Sequence, residues 1–76
     1  MKFSEYKENV RKNALRIYEL EVEPRDAGII TFWCNKYPDI NYYTEVYDEE
    51  PETEYLTIAC YTEKAIERVE WITDNI

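Results

Sequence analysis

Histidine is missing from this sequence, and glycine and serine each occur only once. Histidine is the side chain that most often serves as a general base or a metal ligand, so the commonest catalytic and metal-binding arrangements are excluded. Ser4 is the only serine, and neither cysteine has a histidine to activate it as a nucleophile. The lone Gly28 excludes a glycine-rich phosphate loop. We therefore expect a binding protein rather than an enzyme, with no cofactor and no metal.

Long apolar runs are absent as well. No stretch approaches the roughly 20 residues that span a membrane, and residues 1–10 are polar and amphipathic, unlike a signal peptide. The two cysteines, Cys34 and Cys60, lie inside apolar stretches rather than at the spacings of a disulfide scaffold. We expect two free, buried thiols in a cytoplasmic protein, the alternative being a Cys34–Cys60 disulfide.

Positive charge is scarce after residue 25. Residues 1–25 contain five acids and six bases, whereas residues 26–76 contain twelve acids and three bases, and the net charge of the chain is −8. Nucleic acids and anionic membranes attract proteins through Lys and Arg, so neither is expected to bind directly. The charge favours a basic protein partner, whose association it would accelerate at long range. The alternative is that the charge only keeps a small protein soluble.

The residues that are present suffice for one compact domain over residues 1–76. Apolar residues make up 45% of the chain and aromatic residues 16%, whereas disorder is typical of chains with few of either. A chain of this size buries only about 60% of the surface that it exposes when unfolded. We expect modest stability, which a partner or a second copy would increase.

Two helices are predicted in the first half of an α+β domain. Apolar residues recur at three- and four-residue intervals from Phe3 to about Glu21, which is typical of one amphipathic helix. Pro24 suits the first position of a second helix, and Pro38 lies just beyond its end. The β-branched and aromatic residues of Ile29–Cys34 are also compatible with a strand. We favour the order α-α-β-β-α, with α-β-β-β-α as the alternative.

A hairpin and a last helix are predicted in the second half. Ile40–Tyr47 and Tyr55–Tyr61 have the composition of strands, and they flank a long polar loop, Asp48–Thr53. Glu63–Asn75 has helical periodicity, and Thr62 is placed to cap its N-terminus.

The stretch from Tyr37 to Glu63 contains eight acids, no base and six of the eight tyrosines. Successive side chains of a strand point to opposite faces of the sheet, so the residues of the two strands divide into a core-facing set and an outward-facing set. The predicted core-facing residues are Ile40, Tyr42, Val46, Leu56, Ile58 and Cys60, and their neighbours face outward. Tyrosine is enriched at protein interfaces, and an acidic rim selects a basic target. Trp71 lies off the apolar stripe of the last helix and is a further contact candidate, whereas Trp33 is expected in the core. The predicted partner-binding residues are Tyr43, Glu45, Tyr47, Asp48, Glu49, Glu50, Glu52, Glu54, Tyr55, Tyr61 and Trp71.

Side chains two residues apart on a strand are about 6.8 Å apart, the same order as the spacing of phosphates along a nucleic acid, about 3.4 Å of axis each. In size, charge and lack of catalytic residues, the chain resembles as a class the small bacteriophage proteins that act against host defence, such as anti-CRISPR and anti-restriction proteins. That resemblance implies an inhibitor, phage or mobile-element encoded, that blocks the basic nucleic-acid-binding surface of a host nuclease complex. The alternatives are a regulatory or immunity-type partner that does not mimic nucleic acid, and a self-associating subunit.

Overall fold

The computed structural model describes residues 2–76, which contain three helices and three strands. They are α1 (Phe3–Arg11), β1 (Arg16–Val22), α2 (Pro24–Cys34), β2 (Ile40–Tyr47), β3 (Glu50–Cys60) and α3 (Glu63–Asp74). The strands form one antiparallel sheet in the order β1-β3-β2, so β3 is paired along both edges. The predicted α+β fold class is confirmed, but the element order is α-β-α-β-β-α, so the favoured order α-α-β-β-α lacks the strand β1.

The first predicted helix is wrong beyond Arg11. Asn13 has a φ of 66°, a left-handed conformation that asparagine tolerates and that commonly ends helices. Residues 16–22 then form β1 and pair with β3. In this segment Tyr18, Leu20 and Val22 alternate with acids, a period-two pattern that competes with the helical intervals. The strand prevails because β3 offers an edge on which these residues can pair.

The helix favoured for the second segment is confirmed. Pro24 lies in the first turn of α2 together with Asp26, and the helix buries Ala27, Ile30 and Cys34. The alternative order α-β-β-β-α is therefore wrong at this segment: the sheet does have three strands, but the additional strand is β1.

The hairpin is confirmed, but its long loop is wrong. Tyr47 pairs with Glu50, so only two residues form the turn and β3 begins directly after it. Pro51 is compatible with β3 because β1 pairs with this strand only from Glu54 onward, which leaves Pro51 at an edge. The register shifts between Glu45 and Tyr47, and Val46 is 54% exposed rather than in the core as predicted.

One face of the sheet, the core face, is covered by α2 and α3. The predicted N-cap is confirmed: the Thr62 hydroxyl accepts a hydrogen bond from the Ala65 amide at 3.0 Å and donates one to Asp39 at 2.6 Å. Trp33 was expected in this core but is 36% exposed. The buried residues of the core face are Ile30, Cys34, Ile40, Leu56, Ile58, Cys60, Ala65, Val69 and Ile72.

The opposite face, the α1 face, is covered only in part. Val10 of α1 packs against Tyr43 and Ala59, and the Tyr61 hydroxyl donates a hydrogen bond to the Val10 carbonyl. Because layers lie on both sides of β3 at this end, its last five residues, Leu56–Cys60, are all buried. A nine-residue helix cannot cover the whole face, and the remainder stays open.

The two thiols provide a test of this packing. Both cysteines are free and buried, and burial raises the pKa of Cys34 and of Cys60 to about 11. The thiolate is the reactive form, so neither residue should react with a thiol reagent in the native protein at neutral pH. Both should react fully in denaturant, which a colorimetric thiol assay measures. Native labelling as fast as in denaturant would contradict the arrangement.

The centre of β3 should dominate stability. Ile58 is fully buried between the sheet and the helices, so Ile58→Ala should lower the free energy of unfolding by about 2–5 kcal/mol. Leu15, which is 58% exposed, is the matched control, and Leu15→Ala should change stability by less than about 0.5 kcal/mol. Urea unfolding followed by circular dichroism measures both, and equal effects would refute the assigned core.

Candidate functional site

The open part of the α1 face is a groove with a volume of about 470 Å³. Its floor is formed by two rows of side chains that run across the three strands. Register places Glu21, Tyr55 and Glu45 in one row, and Glu19, Thr57 and Tyr43 in the next. We call this region the acid–tyrosine groove, and its polar and aromatic lining consists of Arg11, Glu19, Glu21, Tyr43, Glu45, Tyr47, Tyr55 and Thr57.

Strand pairing alone brings the carboxylates of the groove together. Glu19 and Glu21 lie two residues apart on β1, so their side chains emerge on the same face about 6.8 Å apart. Glu45 lies on β2, two strand spacings from β1, which places it about 10 Å from Glu21. Within the described part of the chain, no hydrogen bond or ion pair engages the exposed carboxylate of Glu21.

Two tyrosine rings meet at the end of the groove that lies away from α1. Tyr47 and Tyr55 pack edge to face, with ring centroids 5.3 Å apart. The Tyr47 hydroxyl donates to Glu45 at 3.0 Å, and the Tyr55 hydroxyl donates to Glu50. The hydrogen bond to Glu50 raises the pKa of Tyr55 to about 12, and the hydrogen bond to Glu45 raises the pKa of Tyr47. Both phenols therefore stay neutral at physiological pH and hold the neighbouring carboxylates in place.

A guanidinium group already occupies the α1 end of the groove. The Arg11 Nε donates to the Tyr43 hydroxyl at 2.9 Å, and its Nη2 donates to Glu19 at 3.1 Å. These two hydrogen bonds raise the pKa of Arg11. Lys7 of α1 forms a second ion pair, with its Nζ 3.4 Å from Glu45. The groove thus binds a cation through a tyrosine oxygen and a carboxylate together.

The structure gathers only part of the predicted site in the groove. Glu45, Tyr47 and Tyr55 line it, and Tyr43 faces it as predicted but is 6% exposed because α1 covers it. Of the acids in the hairpin tip, Asp48, Glu49, Glu50 and Glu52 are exposed and Glu54 is half-buried.

Two predicted residues lie outside the groove. Tyr61 is half-buried at the opposite end of the α1 face, where its hydroxyl donates a hydrogen bond to the Val10 carbonyl. Trp71 is 58% exposed on α3, the helix that covers the core face.

Sequence reasoning missed four polar residues of the groove lining: Arg11, Glu19, Glu21 and Thr57. It placed Glu19 and Glu21 on one long helix, where their side chains would point in different directions. The alternation of Tyr18, Leu20 and Val22 with acids was the signal that could have located these two acids on a strand.

No protein-family model, curated protein or solved structure matches this chain. Over residues 2–76, no three His, Cys, Asp or Glu side chains converge as they would to hold a metal ion. No helix of that same stretch is long and apolar enough to cross a membrane. The chemistry that the groove offers is the binding of cations, by free and tyrosine-bridged carboxylates beside aromatic rings.

The Tyr55–Glu50 contact can be tested by titration. The hydrogen bond needs the neutral phenol, so its contribution to folding stability is fully present below about pH 10, the ordinary pKa of tyrosine. That contribution is lost as the pH rises through about 12, the pKa of Tyr55 in the folded protein. In Glu50→Gln the pKa of Tyr55 should fall toward 10, as NMR of ring-labelled tyrosine would show. Glu52→Gln, on the same hairpin, is the control and should leave it unchanged. An unshifted Tyr55 in Glu50→Gln would contradict the contact.

Proposed function

We propose that this protein is a non-catalytic inhibitor that binds a basic surface of another protein, one that otherwise binds nucleic acid. The observation that supports it most is the acid–tyrosine groove, in which Glu19 and Tyr43 already hold the guanidinium of Arg11. Glu21 and Glu45 extend the same carboxylate array beyond Arg11. Lys7 forms an ion pair with Glu45, whereas Glu21 has no hydrogen bond or ion pair among residues 2–76. A second arginine or lysine, supplied by a partner, fits this open end.

The hairpin tip adds charge beside the groove. Asp48, Glu49, Glu50 and Glu52 are exposed, and no base occurs from Tyr37 to Glu63. Carboxylates at the tip and in the groove create a continuous negative field, which attracts a basic partner before contact and raises its association rate. The net charge of −8 acts in the same direction.

The spacing of the carboxylates supports mimicry of a nucleic-acid backbone. Neighbouring acids of β1 lie about 6.8 Å apart, which is the axial rise of two phosphates at about 3.4 Å each. A surface of Lys and Arg side chains that contacts every second phosphate along a strand can therefore contact Glu19 and Glu21 in turn. The tyrosine pair supplies what a phosphate chain lacks, namely rigid apolar area and ring faces that attract cations.

A role follows from this chemistry. A small acidic chain that covers the nucleic-acid-binding surface of a nuclease inhibits it without any catalytic residue. Such inhibitors of host defence complexes are encoded by phages and mobile elements, and they act in the host cytoplasm, a setting compatible with the two free thiols.

Charge-matched variants test the groove. The probe is a peptide of nine arginines, titrated calorimetrically at low and at physiological salt. Glu19→Gln with Glu21→Gln should weaken binding roughly tenfold, since each exposed charge pair contributes about 0.2–1 kcal/mol. The control, Glu67→Gln with Asp74→Asn on α3, removes the same two charges away from the groove and should change binding less than about twofold. Equal losses in the two variants would show non-specific attraction and refute the groove as the site.

A displacement experiment tests the mimicry separately. Proteins from a bacterial lysate are captured on the immobilised chain and then washed with duplex DNA or with rising salt. A partner held through its nucleic-acid-binding surface should be released by both, because salt screens the contacts and DNA competes for them. A partner that stays bound through both washes but no longer binds the variants Tyr47→Ala and Tyr55→Ala would contradict mimicry. That result would favour a regulatory partner that recognises the surface through its shape and its tyrosine contacts.

A further inference from the structure

Four apolar side chains are exposed together on α2 and α3, on the outer side of the helices that cover the core face. Phe32 and Trp71 are each 58% exposed, Ile29 is 38% exposed and Trp33 is 36% exposed. The rings form a chain of edge-to-face contacts, with centroids 5.6 Å apart for Phe32 and Trp33 and 6.2 Å apart for Trp33 and Trp71. We call these four residues the aromatic patch.

The size of the patch requires an explanation. A large aromatic side chain has about 150–250 Å² of surface, so the exposed fractions add up to about 400 Å² of apolar area. On a monomer, a contiguous patch of this size usually marks a binding surface. Tryptophan is also the residue most enriched among those that dominate binding energy. Nothing in the groove uses this surface, because the sheet separates the two.

The charges at the rim of the patch differ between its two halves. On α2, Arg25 lies one turn before Ile29, and just after the helix the Lys36 Nζ lies 4.5 Å from the Phe32 ring centroid. On α3, Glu67 and Asp74 lie one turn to either side of Trp71. The α2 edge of the patch therefore offers the bases Arg25 and Lys36, and the α3 edge offers the acids Glu67 and Asp74, of which Glu67 forms an exposed ion pair with Lys64.

We infer that the occupant of the aromatic patch is a second copy of this chain. A two-fold axis through the patch sets α2 of one protomer against α3 of the other, so that Lys36 and Arg25 face the partner's Glu67 and Asp74. A uniformly basic or uniformly acidic partner would match only one half of the rim. Two-fold dimers are the commonest oligomers, and their interfaces are self-complementary in this manner.

The area is compatible with a reversible dimer. Stable interfaces bury about 600–1,000 Å² on each side, so a patch of about 400 Å² fits a weak dimer that forms only at high concentration. Two chains of −8 repel one another at long range, and salt screens this repulsion. The exposed rim pairs contribute little to affinity, so dimerisation should strengthen with salt. Binding of a basic partner to the groove should weaken with salt, which separates the two surfaces experimentally.

Sedimentation velocity at chain concentrations up to about 1 mM, in low and in high salt, tests the inference. The full chain should dimerise, and Trp71→Ala should weaken the dimer at least about tenfold. Leu15→Ala, which removes an equally exposed side chain elsewhere, should leave it unchanged. A full chain that stays monomeric, or equal effects of the two variants, would overturn the inference. Circular dichroism checks that both variants are folded, and binding of the nine-arginine peptide should be unaffected by Trp71→Ala.

Charge exchange tests the identity of the occupant. Lys36→Glu alone and Glu67→Lys alone should each weaken the homodimer, because like charges then face one another at both ends of the two-fold interface. An equal mixture of the two variants should dimerise again, since each altered residue then meets an opposite charge. A mixture that stays as weak as the separate variants would overturn the pairing of α2 with α3 of a second copy.

Discussion

The structure depends on the pairing of β3 with a strand on each edge. Its last five residues are buried on both faces, so the chain must place a layer on each side of the sheet. Two helices, α2 and α3, form the layer on the core face, and α1 alone is available for the other. The nine residues of α1 cover Tyr43 and Ala59, and the rest of that face is exposed to solvent. The groove is thus a consequence of how little helix the chain can place there.

A sheet face that remains wet needs side chains that tolerate water, and this requirement explains the lining of the groove. Charged carboxylates tolerate water, and the groove has three of them, on Glu19, Glu21 and Glu45. A tyrosine tolerates water through its polar hydroxyl while its ring stays apolar, and the groove has such side chains at Tyr47 and Tyr55. The cations of α1 form ion pairs with Glu19 and Glu45, and Glu21 is the groove carboxylate that has no such pair among residues 2–76. The same arrangement that secures α1 on the sheet therefore prepares a surface for further cations.

Local signals made much of the fold predictable. Pro24 at the start of α2, the Thr62 cap of α3 and the strand composition around the hairpin each act through neighbouring residues, and each of these elements was predicted. Residues 14–21 satisfy helical and strand periodicities at once, because Leu20 belongs to both patterns. The choice between them is made by β3, which is distant in sequence. Since Glu19 and Glu21 lie on β1, the β1 side of the groove was out of reach of local reasoning.

The remaining errors have similarly non-local causes. Val46 lies between Glu45 and Tyr47, which both line the groove, so it is on the core face of the sheet, yet it is 54% exposed at the end of β2. Tyr43 is buried because α1 docks on it, and Trp33 is exposed because α2 and α3 leave its ring at their outer edge, in contact with Trp71. Sequence alternation assigned the side of the sheet correctly for Tyr43, but exposure depended on which helix covers that side.

The central claim is that the acid–tyrosine groove is where this protein meets a basic partner. Titration of the nine-arginine peptide into isotopically labelled protein, followed through backbone amide NMR shifts, tests it most directly. The account predicts that the largest shifts fall on Glu19, Glu21, Glu45, Tyr47 and Tyr55, with smaller ones at Asp48 and Glu49. Shifts confined to the hairpin turn, or centred on α2 and α3, would contradict it.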